Sequence, residues 1–131
     1  MSLNGKFILI IDDDQAMLRA LTKVLAGEGG RVKSACWAGE AMDHLTDKSS
    51  RFDLVITDLR MPILGGEIIL RAVKNALPRV PVIVISAFGN PDLKAECLRN
   101  GAAAFLEKPL ETPELLEAVD SALASGGKSL C

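Results

Sequence analysis

Six side chains in this sequence could act together on a phosphoryl group if the fold gathered them. Asp12, Asp13 and Asp14 follow the apolar run Phe7–Ile11, and Asp58 closes the stretch D-L-V-I-T-D that begins at Asp53. Ser86 closes P-V-I-V-I-S, and Lys108 follows A-A-F-L-E. Singly, each has an ordinary explanation. An Asp or Ser at a strand end is a common turn residue, Asp14 stands where a helix cap belongs, and an isolated Lys108 is a solvated cation. Jointly they describe a site. Two like charges 4 Å apart cost about 4 kcal/mol at an effective dielectric near 20, so clustered carboxylates call for a resident cation. Oxygen donors without Cys or His favour Mg²⁺, with Mn²⁺ as a substitute. A dication, an ammonium and a hydroxyl stabilise charge on a transferring phosphoryl group. A carboxylate beside them is a nucleophile that forms an aspartyl phosphate, and being ionised it needs no general base.

The elements that must position these residues alternate along the whole chain. Short apolar runs at residues 7–11, 53–58, 81–86 and 103–107, with a weaker one at 31–36, read as strands. Between them lie helical spacings at residues 14–25, 38–48, 65–76 and 91–100, and a last one from 112 to about 124. Asn90-Pro91 and Thr112-Pro113 give a capping residue followed by Pro at the first helical position. Gly27, Gly29, Gly30 and Gly101 mark helix ends. Five strand–helix units predict an α/β fold, a doubly wound parallel sheet in the flavodoxin-like order 2-1-3-4-5 with five helices on both faces. The first, third and fourth strands are the most apolar and belong at the centre. In that order the six polar groups share the carboxyl edge of the sheet, where open α/β sheets bind ligands.

Composition narrows the remaining classes. With 131 residues the chain has the length of one domain, expected over residues 7–124 between an N-terminal extension (1–6) and a C-terminal tail (125–131). Formal net charge is -2 and no Lys/Arg run exists, so no nucleic-acid surface is expected. No apolar run approaches the roughly 18 residues that span a bilayer, so no membrane partner is expected either. Cys36, Cys97 and Cys131 lack metal spacing and read as reduced thiols of a cytoplasmic protein. Gly126-Gly127-Lys128-Ser129 lacks the first glycine of a P-loop and follows a helix instead of opening one.

With these motifs the chain resembles the response-regulator receiver domains of two-component signalling. The likeness rests on Asp12-Asp13 after an apolar strand, D-L-V-I-T-D-L-R-M-P around Asp58, V-I-V-I-S-A at Ser86, and F-L-E-K-P at Lys108-Pro109. The resemblance implies that Asp58 accepts a phosphoryl group from a sensor histidine kinase. It implies a Mg²⁺ site made by Asp13, by Asp12 through water, by Asp58, and by the backbone carbonyl of Arg60. Lys108 would pair with the carboxylate and then the phosphoryl oxygens, Ser86 would hydrogen-bond the phosphoryl group, and Phe105 would swing inward as Ser86 moves. The Lys108–Pro109 bond would be cis. Switching would alter the face formed by the fourth helix, fifth strand and last helix, which would control an output domain in a longer chain or form a homodimer through the last helix. Self-phosphorylation and slow autodephosphorylation would be the only turnover. The F-L-E-K-P signature is shared in flavour with receivers that regulate transcription.

Two other readings compete. One is a pseudo-receiver that binds protein without phosphorylation. The other is a haloacid-dehalogenase-type phosphatase using Asp12 and Asp14 as D-x-D, which leaves Asp58 without a role. Carboxylate repulsion should also raise at least one pKa in the metal-free protein, which makes Asp13→Ala more stable than wild type at neutral pH without Mg²⁺.

Overall fold

The computed structural model describes residues 3–47, 49, 51–58, 66–87 and 91–126. In chain order they form β1 (Phe7–Ile11), α1 (Gln15–Gly27), β2 (Arg31–Ala35), α2 (Ala38–Thr46), β3 (Leu54–Asp58), α3 (Gly66–Ala76), β4 (Val82–Ser86), α4 (Pro91–Arg99), β5 (Ala104–Glu107) and α5 (Thr112–Gly126). The five strands make one parallel sheet in the order β2-β1-β3-β4-β5. That is the predicted topology.

Side-chain alternation explains the layers. Successive residues of a strand point to opposite faces. Ile8, Ile10, Leu54, Ile56, Ile83 and Ile85 therefore pack with Leu18, Leu21 and Leu25 of α1 and Leu115, Val119 and Ala122 of α5. Leu9, Ile11, Val55, Val82, Val84 and Phe105 pack on the other face with Leu45, Leu70, Val73 and Cys97. Every residue of β3 and β4 is buried, whereas β2 exposes three of its five. Each fully buried Ile, Leu or Val contributes about 1.5–3 kcal/mol relative to exposure, so the central strands dominate the core.

Several element ends differ from the sequence reading. Gly27 is the last residue of α1; Glu28 caps it and Gly29 takes the turn at φ 95°. Strands β2, β3, β4 and β5 are each one residue shorter than their apolar runs. Leu3, set among the N-terminal extension, is buried under the end of α1, and its N–H donates to Glu28 O at 2.8 Å. An apolar residue that close to β1 gains more by joining the core than by staying in water. At the N-terminal margin of the sheet, Asp53 Oδ2 accepts from the N–H of Phe7 at 2.8 Å. The Phe7 ring there meets Phe52 and carries the Arg31 guanidinium.

Candidate functional site

Parallel pairing brings the strand ends together at the opposite margin. Asp58 is the last residue of β3 and pairs with Ile85, one residue before Ser86. On its other side β1 runs out at Ile11, and the N–H of Asp12 continues the ladder by donating to Ala35 O. Chain direction then delivers Lys108 just after β5, with a cis Lys108–Pro109 bond following it. Asp12, Asp58 and Ser86 are buried, at 1%, 2% and 0% exposure, while Asp13 is exposed. Burial of three polar residues at a strand edge costs stability unless they serve one another or a ligand.

Lys108 Nζ donates a 2.8 Å hydrogen bond to Asp58 Oδ2 and lies 3.7 Å from Asp12 Oδ2. Burial acts to lower the Lys108 pKa. The hydrogen bond to Asp58 and the charges of Asp12, Asp58 and Asp14 outweigh it, and the ammonium titrates above its ordinary value. Asp12 is pushed up to about 6, chiefly by burial; the Asp14 N–H opposes that shift, and the Asp58 charge reinforces it. Asp12 is thus the carboxyl of the cluster whose pKa is raised, with burial rather than repulsion as the main cause.

The backbone N–H of Asp14 holds Asp12 Oδ1 at 2.9 Å and leaves Asp12 Oδ2 buried with no hydrogen-bond donor. One carboxylate oxygen each of Asp12, Asp13 and Asp58 lie within 4.8 Å of one another. A hard dication fits this set: the donors are all oxygen, and the unbonded Asp12 oxygen is what a metal or its bound water would engage. The surrounding cleft, of about 180 Å³, is lined by Asp13, Asp14, Asp58 and Lys108.

All six chemistry-bearing positions, Asp12, Asp13, Asp14, Asp58, Ser86 and Lys108, fall on described residues and meet at one edge. Arg60, with the loop of residues 59–65, lies outside the described residues, as do Asn90 and the tail from residue 127. The Phe105 ring lies inside, 8% exposed and packed in the cluster that holds Val84. Without a hydroxyl, this ring has no polar tip to keep it at the surface. Asp14 does cap α1, its Oδ1 accepting from the N–H groups of Ala16 and Met17. It also stands on the cleft wall, as one of the six groups expected at this edge. Trp37 was missed: it is 55% exposed on the turn from β2 to α2, just past the Ala35 carbonyl that receives Asp12. A lone Trp in a sequence reads as core, and only topology reveals that this one faces water.

Comparison with known proteins agrees with this geometry. The sequence pattern of the response regulator receiver domain matches residues 8–120. The chain is 34% identical over 123 residues to the transcriptional regulatory protein ZraR of Salmonella typhimurium, covering 93% of this chain and 27% of that protein. It thus spans about a quarter of that relative's length. A crystal structure of a response regulator receiver domain protein from Clostridium thermocellum superimposes with a TM-score of 0.87 at 31% identity, covering 94% of this chain and 98% of that one. A CheY-like receiver domain protein from Methanospirillum hungatei gives a TM-score of 0.87 at 29% identity over 94% and 97%.

Proposed function

Because this chain belongs to the response regulator receiver domain family, we propose that Asp58 is its phosphoacceptor and that the donor is the phosphohistidine of a sensor kinase. The observation that carries the assignment is the 2.8 Å bond between Lys108 and Asp58 beside the unbonded oxygen of Asp12. It marks Asp58 as the carboxylate already paired with a cation able to follow the transferring charge.

An Asp58 oxygen attacks phosphorus as the P–N bond to the donor imidazole breaks, and the imidazole leaves with a proton from water. Lys108 moves from the carboxylate to a phosphoryl oxygen, and the Ser86 hydroxyl donates to another. Asp13, Asp58 and the Arg60 carbonyl would hold Mg²⁺, or Mn²⁺ in its place, with Asp12 acting through a water; when bound, the metal would neutralise charge on the phosphoryl oxygens. The new dianion shifts the population of two packings through Ser86 and Phe105.

The signal leaves through α4, β5 and α5, where Ala104, Leu106, Glu114, Ala118 and Ala122 line a groove of about 400 Å³. An output domain in a longer chain, or a second copy on the α5 face, is its receiver. Residues 7–124 form the signalling unit, flanked by 1–6 and 125–131. No helix among the described residues is long and apolar enough to cross a membrane, and the reading places the protein in the cytoplasm.

Incubation with acetyl phosphate and Mg²⁺, followed by intact-mass spectrometry, tests the assignment. Wild type should gain one phosphoryl group and Asp58→Asn none. An unmodified wild type returns the protein to the pseudo-receiver reading.

A further inference from the structure

Asp14 is fixed by both its backbone and its side chain, yet neither the cap nor the phosphoacceptor chemistry accounts for where its charge lies. As a cap it needs only an oxygen, and Asn or Ser caps a helix about as well as Asp. Its negative charge is nonetheless on the wall of the cleft that Asp13, Asp58 and Lys108 share, and it contributes to raising the Lys108 pKa. The capping bonds to Ala16 and Met17 hold Oδ1 at the start of α1, which keeps the carboxylate at the cleft. It lies outside the group of three whose oxygens fall within 4.8 Å of one another.

We propose that Asp14 is a specificity-determining charge of this cleft: without ligating the cation, it tightens dication binding and disfavours highly charged phosphodonors. The inference rests on the phosphoacceptor reading. A fixed carboxylate attracts a divalent ion and repels a phosphate dianion through the same field, and the repulsion grows with the donor's charge. The effect reaches across the cleft without contact, so salt must screen it.

The test compares wild type with Asp14→Asn and Asp14→Ser, which keep the cap and remove the charge. Calorimetric Mg²⁺ titration should show weaker binding in both variants, about three- to ten-fold at ~10 mM ionic strength, with the gap nearly closed at ~1 M, where the screening length drops to about 3 Å. At saturating Mg²⁺ both variants should react several-fold faster with acetyl phosphate and gain less with the less charged phosphoramidate. Melting temperatures in chelator should remain at or above that of wild type. Equal Mg²⁺ affinity at low salt, or a gap that salt does not close, overturns the proposal and leaves Asp14 as a cap. If no protein takes up a phosphoryl group, the phosphoacceptor reading fails, while the Mg²⁺ titration still decides the role of the Asp14 charge.

Discussion

The backbone N–H of Lys108 donates a 2.8 Å hydrogen bond to the carbonyl of Ser86, one step beyond the Ser86–Glu107 pair that ends the β4–β5 ladder. The residue whose ammonium faces Asp58 is thereby tied to the residue whose hydroxyl ends the neighbouring strand. The tie is made by backbone, so it survives substitution of either side chain. Changes at Lys108 therefore report on the ammonium rather than on the path of the chain.

Lys108→Ala should fold and should still bind Mg²⁺. Phosphorylation by acetyl phosphate should fall by about 10²–10³-fold, the usual cost of losing one fixed stabilising group. Mg²⁺ affinity should rise several-fold, because the ion no longer competes with an ammonium 2.8 Å from Asp58 and 3.7 Å from Asp12. Adduct kinetics and calorimetry measure the two separately. Weaker Mg²⁺ binding would mean that Lys108 organises the carboxylates instead of competing for them.

The raised Asp12 pKa gives a pH dependence of stability with a definite sign. Folded Asp12 titrates near 6 and its ordinary value is 3.8. Between these values the folded protein holds the extra proton, so this group's contribution to stability is fully present below about pH 4 and is lost as pH rises to about 6. The difference between the two values corresponds to at most about 3 kcal/mol. In chelator, Asp12→Asn should be more stable than wild type by up to that amount above pH 6 and show no gain below pH 4. Urea denaturation across that range checks it. Asp13 is exposed, so the stabilisation expected from Asp13→Ala should be the smaller of the two.

Gly101→Ala should destabilise the protein by about 1–2 kcal/mol, the cost of forcing an L side chain into left-handed backbone. Gly101 has φ 102°, and a Cβ there would stand 3.3 Å from Lys74 Cε. The Lys74 ammonium is anchored on the Pro78 and Val80 carbonyls and has little freedom to retreat. Chemical denaturation measures the loss. Phosphorylation by a small donor should be unchanged, since this turn lies at the margin away from Asp58.

Phe105→Ala should cost about 3–5 kcal/mol, as for a buried aromatic, because the ring already packs in the core. A loss below about 1 kcal/mol would indicate a ring that spends most of its time outside.

What could be read from sequence follows from which interactions are local. The runs of β1, β3 and β4 are apolar throughout because both faces are covered, and that pattern needs no partner to be recognised. Asp12, Asp13, Asp14, Asp58 and Ser86 were legible because each ends or follows such a run, Lys108 because it follows the run of β5, and parallel topology then aligns the ends. Leu3 was not, since its burial depends on a contact with the end of α1, some 25 residues along the chain. Nor was the bond from Phe7 N–H to Asp53, whose carboxylate gave no sign of which donor it would meet. Asp14 was legible both as a cap and as a member of the edge cluster, while the shape of the cleft it lines exists only once β1, β3 and β5 are in place.

The outer margin of β2 has a bearing on how copies of this protein meet. An open sheet leaves unpaired backbone groups along its edge strands, which invite another strand to add on. Along β2 the exposed residues include Arg31 and Lys33, and the His44 ring lies 3.3 Å from the Ser34 carbonyl. Two copies approaching through this edge would set cations against cations and find one carbonyl already engaged. Strand addition at β2 is thereby disfavoured, whereas helical surfaces can meet a partner without unpicking the sheet.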